Sequence, residues 1–314
     1  MRKVALLFNP NSGGRASRRQ AEVESVVTLL REANVQSTLV LCDSSAEAEH
    51  QAQRAGDNGC DTVFACGGDG TIHSVIQGLA NSSVALAILP MGTANALAHD
   101  LRIPMRLKGA ARAALHGVSR RVALGKINFR DLEGHSASRY FIVAAGAGVD
   151  AHLFYKLHTG TKRRMGMAAY YAKAWHLWFS YPMTRFAVDF VESGSSQQRH
   201  AEVTELMAIR IRNFGGVLRE LAPGASLDRD DMRVVFCRTA SRWSYLLYVT
   251  RGLLGLNWKV RGIDLASSDR VSCQYLPEKS GTKIYVETDG ELVGTLPAEI
   301  TVVPDSLTIL APAK

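Results

Sequence analysis

The run Gly67-Gly68-Asp69-Gly70-Thr71 sets glycines on both sides of a single acid, a pattern that neither a tight turn nor a helix cap requires. Glycine backbone can approach phosphate oxygens closely. A helix that starts at such a loop adds unpaired N–H donors and the positive end of its dipole. Two further runs offer the same chemistry. One is Asn9-Pro10-Asn11-Ser12-Gly13-Gly14, which leads into Arg15, Arg18 and Arg19; the other is Gly92-Thr93-Ala94-Asn95. Thr71, Thr93 and Asn95 supply side-chain hydrogen bonds. Asp69 would repel phosphates unless it holds Mg2+, accepts the proton of an acceptor hydroxyl, or orients the loop. Neither a Gly-Lys-Ser/Thr P-loop nor a Gly-x-Gly-x-x-Gly turn after a strand is present. The three loops therefore read as a nucleotide-phosphate site of another kind, suited to phosphoryl transfer. Late in the chain, Asp289-Gly290-Glu291 brings two acids two residues apart. On a strand they would share one face, but an Asp-Gly step between strand runs is equally a hairpin-turn signal.

The elements that must position these loops alternate in the first third of the chain. Val4 to Asn9, Thr38 to Leu41, Thr62 to Ala65 and Ala85 to Leu89 are short apolar runs that end in turns, as buried parallel strands do. Helical spacing is expected over 17–33, 45–55 with Ser44 or Ser45 as N-cap, 71–79 and 94–101. Each glycine loop falls at the carboxyl end of a strand, where open α/β sheets bind ligands. After about Val118 the texture becomes strand-like segments divided by Gly, Ser, Asp and Pro turns, with few helices. Such segments include Phe141 to Ala145, Phe186 to Val191, Val203 to Ile211, Lys283 to Glu287 and Glu299 to Val303. The expectation is an α/β plus β protein: residues 1–120 as a parallel-sheet nucleotide-binding domain, completed by 304–314, and 121–303 as a larger antiparallel β domain.

The ordered set of motifs resembles the catalytic domain of the diacylglycerol kinase and sphingosine kinase superfamily, specifically the bacterial soluble lipid kinases. The matching residues are Asn9-Pro10-x-Ser12-Gly13, Gly67 to Thr71, and Pro90-x-Gly92-Thr93-x-Asn95-x-x-Ala98. Later matches are Gly148-Val149-Asp150-Ala151, Asn213-x-Gly215-Gly216, Ala222-Pro223-x-Ala225-x-Leu227 and Thr288-Asp289-Gly290-Glu291. The resemblance implies an NAD kinase/diacylglycerol kinase-like fold, with a β-sandwich second domain and the active site in the cleft between the domains. It also implies transfer of the γ-phosphoryl of ATP, with Mg2+, to a lipid hydroxyl. Asn9, Ser12, Gly13, Gly67, Gly68, Gly70, Thr71, Gly92, Thr93 and Asn95 would then hold nucleotide, Asp289 would be the general base and Glu291 a nucleotide or metal contact. Asp69 remains an alternative base. Related chains have an Asp-Gly step after the Pro-x-Ala-x-Leu motif, associated with structural Mg2+. Here Asp228-Arg229-Asp230-Asp231 stands there, with Asp228 and Asp231 as candidate ligands but an arginine in place of the glycine. Diacylglycerol, giving phosphatidic acid, is the default acceptor. A sphingoid or ceramide-type lipid is an alternative, and NAD, whose kinases share Gly-Gly-Asp-Gly, is a weaker one.

The 314 residues carry a net charge of +8, which favours a polyanionic partner. The segments 156–185 and 238–261 contain no acid and interleave Lys and Arg with aromatic residues, as peripheral contacts with anionic membranes do. The absence of any nucleic-acid-binding motif argues against nucleic acid. Five scattered cysteines without a Cys-x-x-Cys pair fit a reducing cytoplasm rather than a disulfide framework or zinc site. No apolar run reaches the ~20 residues of a membrane span. The expected location is cytoplasmic, peripheral to the inner membrane face, with the lipid substrate met at the membrane surface; a homodimer stays open.

Overall fold

The structure, a computed structural model, describes residues 1–10, 16–149, 183–215, 220–256, 258–277 and 282–313. The chain forms two compact units. The first comprises Met1–Leu124, Asn213–Val217 and Val303–Lys314, and the second Gly125–Arg212 and Leu218–Val302.

In the first unit the chain runs β1 (Lys3–Phe8), α1 (Ala16–Glu32), β2 (Gln36–Leu41), α2 (Ser45–Ala55), β3 (Thr62–Gly67), α3 (Asp69–Leu79), β4 (Ala85–Pro90), α4 (Ala96–Asp100) and α5 (Leu107–Leu115). The strands lie parallel in the order β2-β1-β3-β4. β3 and β4 are buried at every position, which is why they read as unbroken apolar runs rather than as alternation. β2 is the outer strand and only partly buried. From β1 the chain first crosses one way to β2 and then back to β3 and β4. The direction of winding thus reverses between β1 and β3, the place where open α/β sheets bind ligands. The loops after β1 and β3 both leave from that point.

Ser44 caps α2, its hydroxyl accepting from Glu47 N at 3.1 Å, while the Glu47 carboxylate accepts from Asp43 N at 3.0 Å. Two helices differ from the sequence expectation. α4 begins only at Ala96, because Asn95 is left-handed with φ 49°. α5 was not anticipated; its buried Leu107, Ala110, Ala111 and Ala114 pack on α1 and β4. The tail of the chain also joins this unit: in β15 (Glu291–Ala311), Thr308 and Ile309 lie parallel beside Ala85 and Leu86 of β4.

The second unit is built from β5 (Val118–Arg130, from Gly125 on), β6 (Ser136–Phe141), β7 (Ala144–Gly148), β8 (Phe186–Val191), β9 (Gln198–Val203), β10 (Glu205–Ile209), β11 (Met232–Cys237), β12 (Ile263–Ser268), β13 (Arg270–Tyr275), β14 (Tyr285–Thr288) and the first part of β15. All pairings inside it are antiparallel. One ladder runs β12-β11-β10-β7-β14-β15 and another runs β9-β8-β13-β15. Their inner faces share one core, in which Phe190 of β8 stacks on Phe236 of β11 with centroids 4.5 Å apart. The run read as 299–303 and most of the completing segment 304–314 belong to the single strand β15. A helix that the sequence reading did not assign, α6 (Arg242–Leu254), sits between β11 and β12. Ser241 caps its start, and Gly255, left-handed at φ 65°, ends it.

Candidate active site

β3 and β4 pair in register from Thr62↔Ala85 to Gly67↔Pro90, so their loops emerge side by side at one level of the sheet. There the backbones nearly touch: a Cβ on Gly92 would stand 2.6 Å from Gly68 Cα, and one on Gly67 would meet the Thr71 side chain at 2.3 Å. The glycines at 67, 68 and 92 are thus required by close approach. Asp69 closes the arrangement. Its Oδ2 accepts from Asn95 N at 2.9 Å and its Oδ1 from Ala96 N at 2.8 Å. Asn95 is buried, and its amide folds back on the loop: Gly92 N donates to Oδ1 at 2.8 Å, and Nδ2 donates to Gly92 O at 2.9 Å. Of the three roles open to Asp69, the bonds present are those of the loop-orienting one. The N-terminus of α3 has no capping side chain, so its first-turn N–H groups face away from the helix without an internal acceptor. Thr93 is exposed in the same loop pair, and Thr71 is buried in the first turn of α3.

Asn9 N donates to Cys66 O at 3.3 Å, which holds the start of the first loop beside the end of β3. Ser12 and Gly13 lie outside the described residues, as do Asp150 and Gly216 of the later motifs. Asn213 and Gly215 belong to the first unit. Asn213 N donates to Asp100 Oδ1 at 2.9 Å, and Gly215, at φ 77°, lies so close to His99 that a Cβ would meet its ring at 2.3 Å.

In the second unit, Thr288-Asp289-Gly290-Glu291 is a hairpin turn. Thr288 pairs with Glu291, and Asp289 and Gly290 are both left-handed at φ 48° and 84°. That is the Asp-Gly turn with two positive φ values, so the alternation expected for Asp289 and Glu291 on one strand face does not apply. The Asp289 carboxylate reaches across to the segment before β7 and accepts from Ile142 N (3.1 Å), Val143 N (2.9 Å) and Ala144 N (3.0 Å). The side chain of Glu291, partly exposed at the far side of the turn, makes no hydrogen bond or ion pair with other described residues. Two acids escaped the sequence reading. Glu287, on β14, accepts from Gly290 N at 2.8 Å, and Glu205, on β10, accepts from Val149 N; both are buried. They flank β7, Glu287 opposite Gly146 and Glu205 opposite Gly148; a Cβ on Gly146 would meet the Glu287 carboxylate at 2.9 Å, and one on Gly148 would meet Thr204 O at 2.5 Å and the Glu205 carboxylate at 2.7 Å. The available signal was an acid inside an otherwise apolar strand, beside a strand of alternating Ala and Gly.

The acidic turn at 228–231 is arranged differently from a ligand set. Asp231 forms a bidentate pair with Arg229, whose Nε lies 2.6 Å from Oδ1. That pairing holds the Asp231 carboxyl below its usual range against the opposing effect of burial. The fully buried Arg210 donates to the carbonyls of Arg229, at 2.8 Å, and Asp231. The guanidinium of Arg229 therefore supplies the counter-charge there, and among the described residues Asp228 and Asp231 do not converge with a third acid or histidine.

Residues 3–127 match the diacylglycerol kinase catalytic domain, and residues 143–311 match the YegS C-terminal NAD kinase beta sandwich-like domain. A diacylglycerol kinase of Bacillus subtilis (strain 168) is 26% identical over 302 residues, covering 95% of this chain and 93% of its own. One from Staphylococcus aureus (strain bovine RF122 / ET3-1) is 25% identical over 315 residues, covering 99% and 93%. Among solved structures, a diacylglycerol kinase from Bacillus anthracis str. Sterne superposes with a TM-score of 0.69 at 18% identity, covering 98% and 96% of the two chains. Yeast NADH kinase complexed with NADH superposes at 0.51 and 11% identity, covering 99% and 84%. These last two likenesses bear on the fold alone.

Proposed function

The chain belongs to the diacylglycerol kinase catalytic-domain family, and from that premise we propose that diacylglycerol is the lipid it phosphorylates, with phosphatidic acid as product. It is an ATP-dependent kinase, a phosphotransferase with an alcohol as acceptor, of a lipid kinase family. The observation that carries the reading is the Asp69–Asn95 clasp. It fixes the two glycine loops against each other and leaves the N-terminus of α3 open for an anion. Phosphoryl transfer rests mainly on positioning and charge neutralisation, and a loop pair locked at backbone level supplies positioning without reorganisation.

The acids divide their labour. Asp69 and Asp289 each spend both oxygens on backbone N–H groups, and so hold loops in place. Glu291, without such bonds, is the carboxylate free to take the proton of the acceptor hydroxyl. A divalent cation, Mg2+ in the first instance, neutralises charge on the transferred phosphoryl when bound with ATP. Each Asp69 oxygen keeps a lone pair beside the N-terminus of α3, a hard donor that would suit such an ion. Among the described residues no helix is long and apolar enough to cross a membrane.

The test is transfer of label from γ-labelled ATP to a panel of diacylglycerol, ceramide, a sphingoid base and NAD. Label in phosphatidic acid supports the proposal, and label in a sphingolipid moves it to that acceptor class. The fold shared with yeast NADH kinase makes NAD the necessary control, and label in NADP alone would overturn a lipid acceptor.

A further inference from the structure

In the second unit, α6 turns its polar chemistry inward and its apolar side chains outward. Tyr245, Tyr248, Arg251 and Gly252 are buried. The Tyr248 hydroxyl and Arg251 Nη2 both donate to Leu221 O, and the Arg251 guanidinium lies 4.4 Å from the Tyr248 ring centroid. On the outer face Trp243 is 75% exposed, Leu247 48% and Leu254 59%. Their spacing of four and seven residues places all three on one stripe. The ridge continues past the helix in Leu256, 43% exposed, and Trp258, 39% exposed, whose carbonyl accepts from Arg251 Nη1 at 3.4 Å. A helix in a water-soluble protein normally buries such a stripe, and a contiguous exposed one marks an interaction surface.

Charge indicates the partner. No acidic residue occurs between Arg238 and Asp264. The ridge runs directly into a groove of about 750 Å3 lined by Arg199, Arg238, Lys259, Arg261 and the Phe190–Phe236 pair. Arg199 pairs with Glu192 at 2.7 Å and Arg238 with Asp264 at 3.1 Å. Lys259 and Arg261 are exposed and have no ion-pair partner among the described residues. Exposed Trp and Leu beside uncompensated Lys and Arg form the pair of features that inserts at a bilayer interface and is held by anionic headgroups.

We propose that the outer face of α6, with Lys259 and Arg261, docks this protein onto an anionic lipid bilayer. This goes beyond the choice of acceptor lipid, and its test needs no nucleotide. The full chain is sedimented with vesicles of phosphatidylcholine, with or without an equal part of phosphatidylglycerol. The expected result is binding to the anionic vesicles only, weakened by salt. The double variant Lys259→Gln/Arg261→Gln should bind about thirtyfold more weakly at low salt, since each basic residue near an anionic surface strengthens partition by about fivefold. Trp243→Ser/Leu254→Ser should lose binding at both low and high salt. Trp243→Phe should reduce the quenching of tryptophan fluorescence by brominated lipid, with Trp258 of the same ridge supplying part of what is left. These side chains are exposed, so unchanged melting temperatures are expected and show that the variants fold. Phosphorylation of a water-dispersed short-chain diacylglycerol by all three should match the parent, which separates a failed dock from a failed choice of substrate. Unchanged vesicle binding in both double variants would overturn the proposal. So would loss of a dimer in sedimentation velocity with vesicle binding intact, which would assign the ridge to a second copy of the chain.

Discussion

Replacing Asp69 by asparagine removes a charge and one of two equivalent acceptors from a carboxylate that bonds Asn95 N and Ala96 N at 2.9 and 2.8 Å. An amide presents one oxygen and an NH2, so one backbone N–H loses its acceptor and meets a donor instead. Losing one charge-assisted bond costs about 2 kcal/mol. At 2–4 °C per kcal/mol for a domain of this size, the melting temperature should fall by about 4–8 °C. Because the same bonds fix the loop pair beside the α3 N-terminus, the KM for ATP should rise as well, by about tenfold for a single weakened phosphate contact. Asn95→Gly keeps the left-handed backbone at φ 49° but deletes both side-chain bonds to Gly92, and should cost about 1–2 kcal/mol. Since both substitutions loosen one clasp, the double variant should lose less stability than the sum of the two. The assay pairs thermal melts with steady-state kinetics in ATP. If Asp69→Asn abolished turnover with melting temperature and ATP KM unchanged, the anchoring role would be wrong and Asp69 would act directly on the reacting groups.

Glu291→Gln should lower kcat by at least ~100-fold, the usual contribution of a general base, with the melting temperature unchanged; near-normal turnover would exclude it as proton acceptor. Asp289→Asn, which disturbs bonds to Ile142, Val143 and Ala144, should lower both turnover and melting temperature while ATP still binds; an unchanged melt would contradict the anchoring geometry. Chelation by EDTA should stop turnover but leave the melting temperature unchanged, because Arg229 rather than an ion balances Asp231; a lower melting temperature would point to a structural metal. Of the five cysteines, four are buried, with burial pushing Cys42 to about 11, Cys273 to about 12 and Cys66 further up, whereas Cys60 is half-exposed. Burial raises the Cys60 thiol too, so a thiol reagent near neutral pH should modify Cys60 first, at a modest rate, and the rest only on unfolding.

The first unit was largely legible because β1, β3 and β4 are buried along nearly all their length and each leads into a glycine-containing loop, so apolar runs and turns mark these elements directly. The hairpin at Asp289 was signalled too, but so was a strand, and only the two left-handed residues distinguish them. α6 was missed because its inward and outward faces both carry aromatic and aliphatic residues, leaving no polar stripe to reveal a helical period; Ser241 and Gly255 at its ends were the readable marks. α5 escaped because its buried face is mostly alanine, which carries little apolar signal. Sequence pattern singled out Asp69, Asn95 and Asp289 as candidates but not the backbone N–H groups that Asp69 and Asp289 hold, since hydrogen bonds spanning 26 to 147 residues leave no local trace. Glu205 and Glu287 were hidden for the same reason: their significance comes from the glycines opposite them on β7.

The central claim is a lipid hydroxyl as phosphoryl acceptor, and the most direct measurement offers γ-labelled ATP and Mg2+ to the intact protein with diacylglycerol, ceramide, a sphingoid base and NAD in competition. The account predicts label in phosphatidic acid, reduced in the Glu291→Gln protein. Label confined to NADP, with every lipid unlabelled, would contradict it.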